Sequence, residues 1–311
     1  MARLVLALSG GVGGAKLAWG LAQLLPPDQL AFVVNTGDDE EFHGLYVSPD
    51  LDILLYTLAG IVDPEKGWGI KGDTFHTLEL LERYGEPTWF RLGDRDLATH
   101  ILRTRLLRQG WSLTQIARHL AQRLGVQHEV VPMTDGRLRT IVLTEEGNLP
   151  FQEYFVRRAC QPRAKGFRYQ GAETAHPSPP FDRLLDEASA ILFCPSNPYL
   201  SLGPILALPG VRQRIASFHG PRLAVSPIVG GEALKGPLAK LLQELEGEAS
   251  CLSVARLYQG LCDIFILDEV DRAWAPQVER LGFRVSITPT VMVTDADRVA
   301  LARHTLSLLG W

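Results

Sequence analysis

Ser9-Gly10-Gly11-Val12-Gly13-Gly14-Ala15-Lys16 is the segment of the chain best suited to holding a diphosphate. Glycines between a strand and a helix let the backbone approach an anion, which free N–H groups and a helix N-terminus then favour. A tight turn alone needs fewer of them. Two familiar loops do not match. A Walker loop ends in Gly-Lys-Ser/Thr, whereas Ala15-Lys16-Leu17 lacks the metal-holding hydroxyl. A dinucleotide fingerprint fits at Gly11 and Gly13, but Lys16 takes the third glycine's place and the second strand ends in Asn35 instead of an acid. The next chemical feature is carboxylate-rich: Asn35-Thr36-Gly37-Asp38-Asp39-Glu40-Glu41, then Ser48-Pro49-Asp50-Leu51-Asp52. In an open parallel sheet, ligands sit beyond the carboxyl ends of the strands, so these acids neighbour the glycine loop. Asp38, Asp39, Asp50 and Asp52 are candidate Mg²⁺ ligands, because Mg²⁺ takes few protein carboxylates plus phosphate oxygens. Asp50 has a second reading as a first-turn acid of a helix capped by Ser48 and opened by Pro49. Asp52 lies deeper, and capping explains it less well. Asp38 and Asp39 also read as solvated loop acids.

Other candidates follow later strands. Ser196 and Asn197, in Pro195-Ser196-Asn197-Pro198, can donate to phosphate or read a guanine edge, or simply form an Asn-Pro turn. Ser226 and Gly230-Gly231 hold the same position after the next strand, with Lys235 as a nearby cation or a solvent-facing lysine. Trp68, flanked by Gly67 and Gly69, offers a flat apolar face for a ring. Arg91 and Arg95 suit anionic groups, although Arg95 can equally pair with Asp94 or Asp96. His76 and His100 are further candidates, each with a plain structural role as alternative.

These residues need a frame, and the pattern supplies one. Strand-like runs alternate with helical ones, the signature of a mostly parallel sheet with crossover helices. Leu4–Leu8, Leu30–Val34, Ala190–Cys194, Leu223–Ser226, Asp263–Leu267 and Arg284–Ile287 are compact apolar runs bounded by turn residues, as central strands are. Helical spacing dominates from Pro64 to Gly125, broken at Gln109-Gly110, and strand-like alternation runs from Val130 to Phe155, with Phe151 to Val156 read as a strand. Thr174–Pro180 reads as a connector. The expected fold is one α/β domain over residues 1–311: a Rossmann-like, doubly wound, mostly parallel sheet with a helical and mixed insertion at about 64–160.

The 311 residues carry 31 Lys and Arg against 35 Asp and Glu, a net charge of −4 that argues against a nucleic-acid binder relying on a basic surface. Apolar runs are too short to span a bilayer. The N-terminal apolar run ends in glycines, not at a small-residue cleavage site, so it reads as a strand and not a signal peptide. Cys160, Cys194, Cys251 and Cys262 show no CxxC spacing and read as thiols in a reducing cytoplasm.

Several separate segments point the same way: Gly10–Lys16, Asn35–Asp39, Ser48–Asp52, Gly67–Ile70, Leu92–His100, Pro132–Asp135, Pro195–Pro198 and Ser226–Gly231. Together they resemble the 2-phospho-L-lactate transferase family (CofD, or FbiA in actinobacteria) of coenzyme F420 biosynthesis. The likeness runs from Ser9 to Pro289, and Leu92-Gly93-Asp94-Arg95-Asp96-Leu97-Ala98-Thr99-His100 is its most specific part. The resemblance implies a cytoplasmic, Mg²⁺-dependent homodimer that joins a phospholactyl or phosphoenolpyruvyl unit, from a guanosine-diphosphate-linked donor, to the deazaflavin FO, with GMP leaving. It places deazaflavin contacts at Asp52 and Arg91. With the candidates above, the expected site has Asp39 and Asp52 as catalytic and metal-binding groups and Trp68 and His76 beside the deazaflavin. Gly11, Gly13, Gly14, Lys16, Asn35, Ser196, Asn197, Ser226, Gly230 and Gly231 would surround the nucleotide. Gly136 departs from the family pattern, which often has a second aspartate after Asp135, so Asp135 receives no role. A uridine-diphosphate-sugar-binding regulatory protein of the gluconeogenesis-factor type is the alternative, and a generic dehydrogenase is disfavoured by Lys16 and Asn35. The sequence leaves the three-carbon donor open.

Overall fold

The computed structural model describes residues 3–311. A sheet of seven strands forms its centre: β1 (Val5–Ser9), β2 (Leu30–Val34), β3 (Glu129–Pro132), β4 (Ala190–Phe193), β5 (Arg222–Val225), β6 (Ile264–Leu267) and β7 (Arg284–Ile287). All pairings in it are parallel, in the order β7-β6-β5-β4-β1-β2-β3. Every residue of β1 is buried, because helices cover both faces, and its unbroken apolar run follows from that. Val5 and Ala7 face one layer with Phe32 and Leu192, while Leu6 and Leu8 face the other with Val33 and Phe193.

The first layer contains helices α1 (Gly11–Ala22) and α2 (Pro49–Leu58) and the last helix, Asp295–Leu309. The α1 and Asp295–Leu309 backbones cross so closely that a Cβ on Gly20 would lie 2.3 Å from the Arg298 carbonyl oxygen. Between α2 and β3 come three more helices, His76–Arg83, α3 (Asp96–Arg108) and Leu113–Arg123. The break at Gln109-Gly110 is made by Gly110 at φ +85° and by a capping box in which Ser112 and Gln115 bond each other's backbone. The expected connector Thr174–Pro180 ends earlier, where Ser178 caps the helix Pro179–Glu187, so Pro179 and Pro180 belong to that helix. Among the described residues no helix is long and apolar enough to cross a membrane.

Two expectations change. Residues 64–160 are not one insertion, because β3 lies within them and pairs in parallel with β2 as the sheet edge. A second excursion follows β3: a small antiparallel sheet with Arg139–Thr144 between Gly147–Pro150 and Ala164–Gln170. Phe151 to Val156 is not a strand. A wide helical turn, Glu153–Arg157, stacks Phe151 on Phe155 with ring centroids 5.2 Å apart, a contact that four-residue helical spacing allows and alternation does not.

Candidate active site

Strand order reverses between β1 and β4, which opens a crevice over their carboxyl ends. A cleft of about 720 Å³ occupies it and extends across to the helices after α2. Gly10, Gly11 and Gly13 form one wall, and Pro195, Ser196 and Asn197 after β4 form the facing one. The Ser196 hydroxyl joins them, donating to the Gly10 carbonyl at 2.8 Å and accepting from its N–H at 3.1 Å. A Cβ on Gly13 would sit 2.4 Å from the Pro195 carbonyl oxygen, so the two loops meet only if this residue is glycine. Gly14 lies behind the wall, against the Ser9 and Ser196 hydroxyls. The N-cap Gly10 has no side chain to cap α1, whose first N–H, that of Gly11, faces the Asp50 carboxyl. Asn197 faces the cleft while its side-chain oxygen accepts from the Tyr199 and Leu200 N–H groups, so it also caps the following turn.

Cations gather on one side. Lys16 and Lys235 both line the cleft. Lys16 Nζ donates to the Met292 carbonyl at 2.7 Å, and burial, then Arg298 and Lys235, lower its pKa. Lys235 Nζ donates to the Glu65 carbonyl at 3.3 Å and so ties this side to the Trp68 loop. Ser226 lines the cleft and bonds the Ile228 backbone. Gly230 and Gly231 do not line it. They make the two-residue turn of a hairpin, both with positive φ, and the Gly230 N–H donates to Asp271.

The acids divide into three environments. Asp38 and Asp50 line the cleft near the glycine loop; Asp50 Oδ2 is close enough that a Cβ on Gly10 would lie 2.5 Å from it. Asp38 Oδ1 is buried without a hydrogen-bond partner. Asn35 is not at the cleft surface: it lies under Asp50, donating to Oδ2 at 2.9 Å and to the Leu200 carbonyl at 3.3 Å. Asp39 turns away from the cleft, accepting from the Ser48 hydroxyl at 2.8 Å and the Tyr46 hydroxyl at 2.9 Å. Asp38 therefore takes the cleft-facing position that the sequence suggested for Asp39.

Asp52 lines the cleft farther along and pairs through both oxygens with Arg103, which is fully buried. His100 Nδ1 lies 3.8 Å from Asp52, and its Nε2 lies 3.3 Å from Asp96. The Tyr56 hydroxyl donates to Asp96 at 2.7 Å and completes the chain. Burial pushes the Asp52 carboxyl up, and Arg103 and His100 pull it back. Arg103 resists burial because Asp52 holds its charge. Arg103 and Tyr56 were not singled out in the sequence. The signal was present in α3, where Asp96, His100 and Arg103 follow the four- and three-residue spacing of one helix face.

Trp68 and Arg91 line the rim, with Arg91 over the Phe75 ring at 4.1 Å. Trp89 and Phe90 add an aromatic wall braced by Phe42, whose ring stacks on Phe90 at 3.8 Å. His76 is exposed beside Glu79 and does not line the cleft. Asp94 holds the helix behind it, accepting from the His76 and Thr77 N–H groups at 2.9 Å each.

A family model described as 2-phospho-L-lactate transferase CofD matches residues 5–295. The chain belongs to the CofD family. Among its relatives, a phosphoenolpyruvate transferase of Streptomyces griseus is 40% identical, with 98% of each chain covered. A 2-phospho-L-lactate transferase of Methanopyrus kandleri is 42% identical over 97% of this chain and 96% of that one. The fold also resembles the crystal structure of a UPF0052-family protein of Bacillus halodurans, with TM-score 0.65, 14% identity, and 98% and 99% of the two chains covered. The protein is thus a CofD-type transferase, and the cleft is the candidate centre for that chemistry.

The acids of this CofD-family enzyme give its stability a characteristic pH dependence. Burial raises the Asp39 carboxyl to about 7. Burial, with Asp50 and Asp39 as like-charged neighbours, lifts Asp38 well above the carboxylate range. Protonated forms therefore favour the fold. That contribution is complete below the ordinary carboxylate pKa and is lost as pH rises through about 7. The ligand-free protein is expected to unfold at a higher temperature at about pH 6 than at about pH 8, by calorimetry. The reverse order would contradict these protonation states.

Proposed function

We propose that the enzyme transfers a 2-phospholactyl or phosphoenolpyruvyl group from a guanosine-diphosphate-linked donor to the terminal ribityl hydroxyl of FO, releasing GMP. The observation that carries this reading is the continuity of one cleft. It joins a diphosphate-suited glycine loop to Asp52 and to an aromatic rim of Trp68, Trp89 and Phe90. The relatives' names supply the three-carbon groups.

In this reading the diphosphate lies along Gly11 and Gly13 at the N-terminus of α1, with Lys16 and Lys235 as cations and Ser196 and Asn197 toward the nucleoside. The deazaflavin lies against Trp68, with Arg91 at its edge and its ribityl chain directed to Asp52. The ribityl oxygen forms a new bond to the phosphorus carrying the three-carbon acid, and the bond from that phosphorus to the oxygen bridging to GMP breaks. Asp52 holds the hydroxyl and accepts its proton. His100 and Arg103 fix the carboxylate in place. Such transfer depends mainly on positioning and charge neutralisation.

Asp38 and Asp50 face the anion site, and a cation shared with the diphosphate would let both carboxyls ionise against the burial that favours their protons. The unpartnered Asp38 Oδ1 beside Asp50 fits Mg²⁺, which takes one or two carboxylates and completes its shell with phosphate and water. Bound there, Mg²⁺ would neutralise charge developing on the diphosphate. Asp38 and Asp50 would hold it, leaving Asp52 free to act as a base.

The test is a titration with FO, with and without GDP and Mg²⁺, followed by ring fluorescence. Saturable binding strengthened by GDP and Mg²⁺ is expected; tight binding of a uridine diphosphate sugar with none of FO would favour a regulatory nucleotide-sugar protein. Trp68→Ala is expected to weaken FO binding by about 1–3 kcal/mol, as lost ring stacking does, with little change for GDP. Equal losses for both ligands would indicate a packing defect. Gly13→Ala should do the opposite. It drives a Cβ into the Pro195 carbonyl, and GDP binding should fall by about tenfold or more while FO binding in the absence of GDP is spared.

A further inference from the structure

Behind the acids lies a side chamber of about 240 Å³. It touches the main cleft through Asp38, Phe151 and Gln152, which line both. Gln152 Nε2 donates to the Asp38 carbonyl at 2.9 Å, and the Thr140 N–H donates to the Gly37 carbonyl at 2.8 Å, so the shared wall is anchored from two sides. The far wall is the central strand of the small antiparallel sheet, which presents Arg139 and Thr140. Arg139 lies beside the Tyr46 ring, 5.8 Å from its centroid; its Nη1 donates to the Leu138 carbonyl at 3.3 Å, and its Nε is buried without a partner. The Thr140 hydroxyl is also buried; it lies toward Asp38 but closes no hydrogen bond. Buried donors left open in this way indicate a ligand that the pair is built to meet. Asp39 also lines the chamber, but both its oxygens already accept, from Ser48 and Tyr46. Glu40 and Arg137 complete the charged lining.

We infer that this chamber receives the three-carbon acid of the donor, with its carboxylate on the Arg139 guanidinium and the Thr140 hydroxyl and its third carbon against Ile141 and Phe151. The inference rests on the transferase reading above. A guanidinium and a hydroxyl that line one chamber suit a carboxylate, the guanidinium through its N–H donors. The chamber also adjoins the cleft at Asp38, Phe151 and Gln152, on the side of the acids that face the glycine loop. Phospholactate and phosphoenolpyruvate both carry a carboxylate on the phosphate-bearing carbon and differ in the bond from that carbon to the third, single in one and double in the other. Arg139 and Thr140 thus recognise what the two donors share, and the choice between them falls to the apolar wall.

The test compares two synthetic esters of GDP, one bearing L-lactate through its 2-oxygen and one bearing isopropanol, which has a methyl in place of the carboxylate. Binding is measured by calorimetry without FO. The wild-type protein is expected to prefer the lactyl ester by about 10–100-fold, the range of a charge-assisted bidentate contact. Arg139→Gln should erase the preference while leaving GDP affinity unchanged, and Arg139→Lys should restore part of it. Thr140→Val, close in shape and slight in its effect on folding, should reduce the preference several-fold. A preference intact in Arg139→Gln overturns the inference. Equal binding of both esters by the wild type overturns it too while leaving the transferase reading standing. If neither ester nor GDP binds, both fall together.

Discussion

Asp52→Ala is expected to abolish transfer, by about 10³-fold or more, and also to lower folding stability by about 3–5 kcal/mol. The two effects have one origin. Asp52 and Arg103 are a buried pair, and removing the carboxylate leaves a fully buried guanidinium without its counter-charge. Loss of activity in this variant alone would therefore not show a catalytic role. Asp52→Leu combined with Arg103→Met separates them, because buried ion pairs are commonly replaced by apolar residues without loss of stability. The double variant should unfold in denaturant near the wild-type midpoint, bind GDP, and still release no GMP from donor and FO. An active double variant would remove Asp52 from the chemistry. Full stability in Asp52→Ala would contradict the buried pair.

Asp38→Asn is expected to act in the opposite direction on stability. Burial and the neighbouring Asp50 and Asp39 carboxylates oppose charge at Asp38, so the neutral amide should raise the thermal midpoint of the ligand-free protein near neutral pH. Transfer should fall by about 10²–10³-fold, the usual cost of losing electrostatic stabilisation at a charged transition state, and more Mg²⁺ should be needed for GDP to bind. Asp39→Asn is the matched control. Asp39 bonds Ser48 and Tyr46 away from the cleft, so the Mg²⁺ requirement should stay close to wild type. If Asp39→Asn shifts the Mg²⁺ requirement and Asp38→Asn does not, the metal assignment is reversed.

That contrast also shows what a sequence can convey about this site. The glycine loop, its strand and its helix were legible because each depends on local chemistry: an apolar run, glycines, then helical spacing. The placement of the acids near the loop followed from the parallel sheet. Which of two adjacent aspartates faces the ligand depends on the bend after β2, where the Asp39 N–H returns to the Thr36 carbonyl, and on tertiary partners such as Tyr46 and Ser48. Asn35 was a reasonable nucleotide contact by position, yet the fold uses it to support Asp50. Arg103 is not legible as a site residue because an arginine in a charged helix ordinarily faces water; only its pairing with Asp52 of α2 and the packing of α3 against the strand ending at Val47 show that it is buried. Phe151–Val156 contains too few residues for period alone to separate strand from helix.

The central claim is that one cleft binds FO and a guanosine-diphosphate-linked three-carbon acid and joins them. The most direct measurement is to incubate the protein with FO, the lactyl ester of GDP and Mg²⁺, and to follow both products by chromatography and mass spectrometry. Formation of an FO phosphodiester carrying the three-carbon acid, in equal amount with GMP, is the expected result. GMP release without an FO product, or no reaction with either the lactyl or the enolpyruvyl donor by a folded, GDP-binding protein, would contradict it.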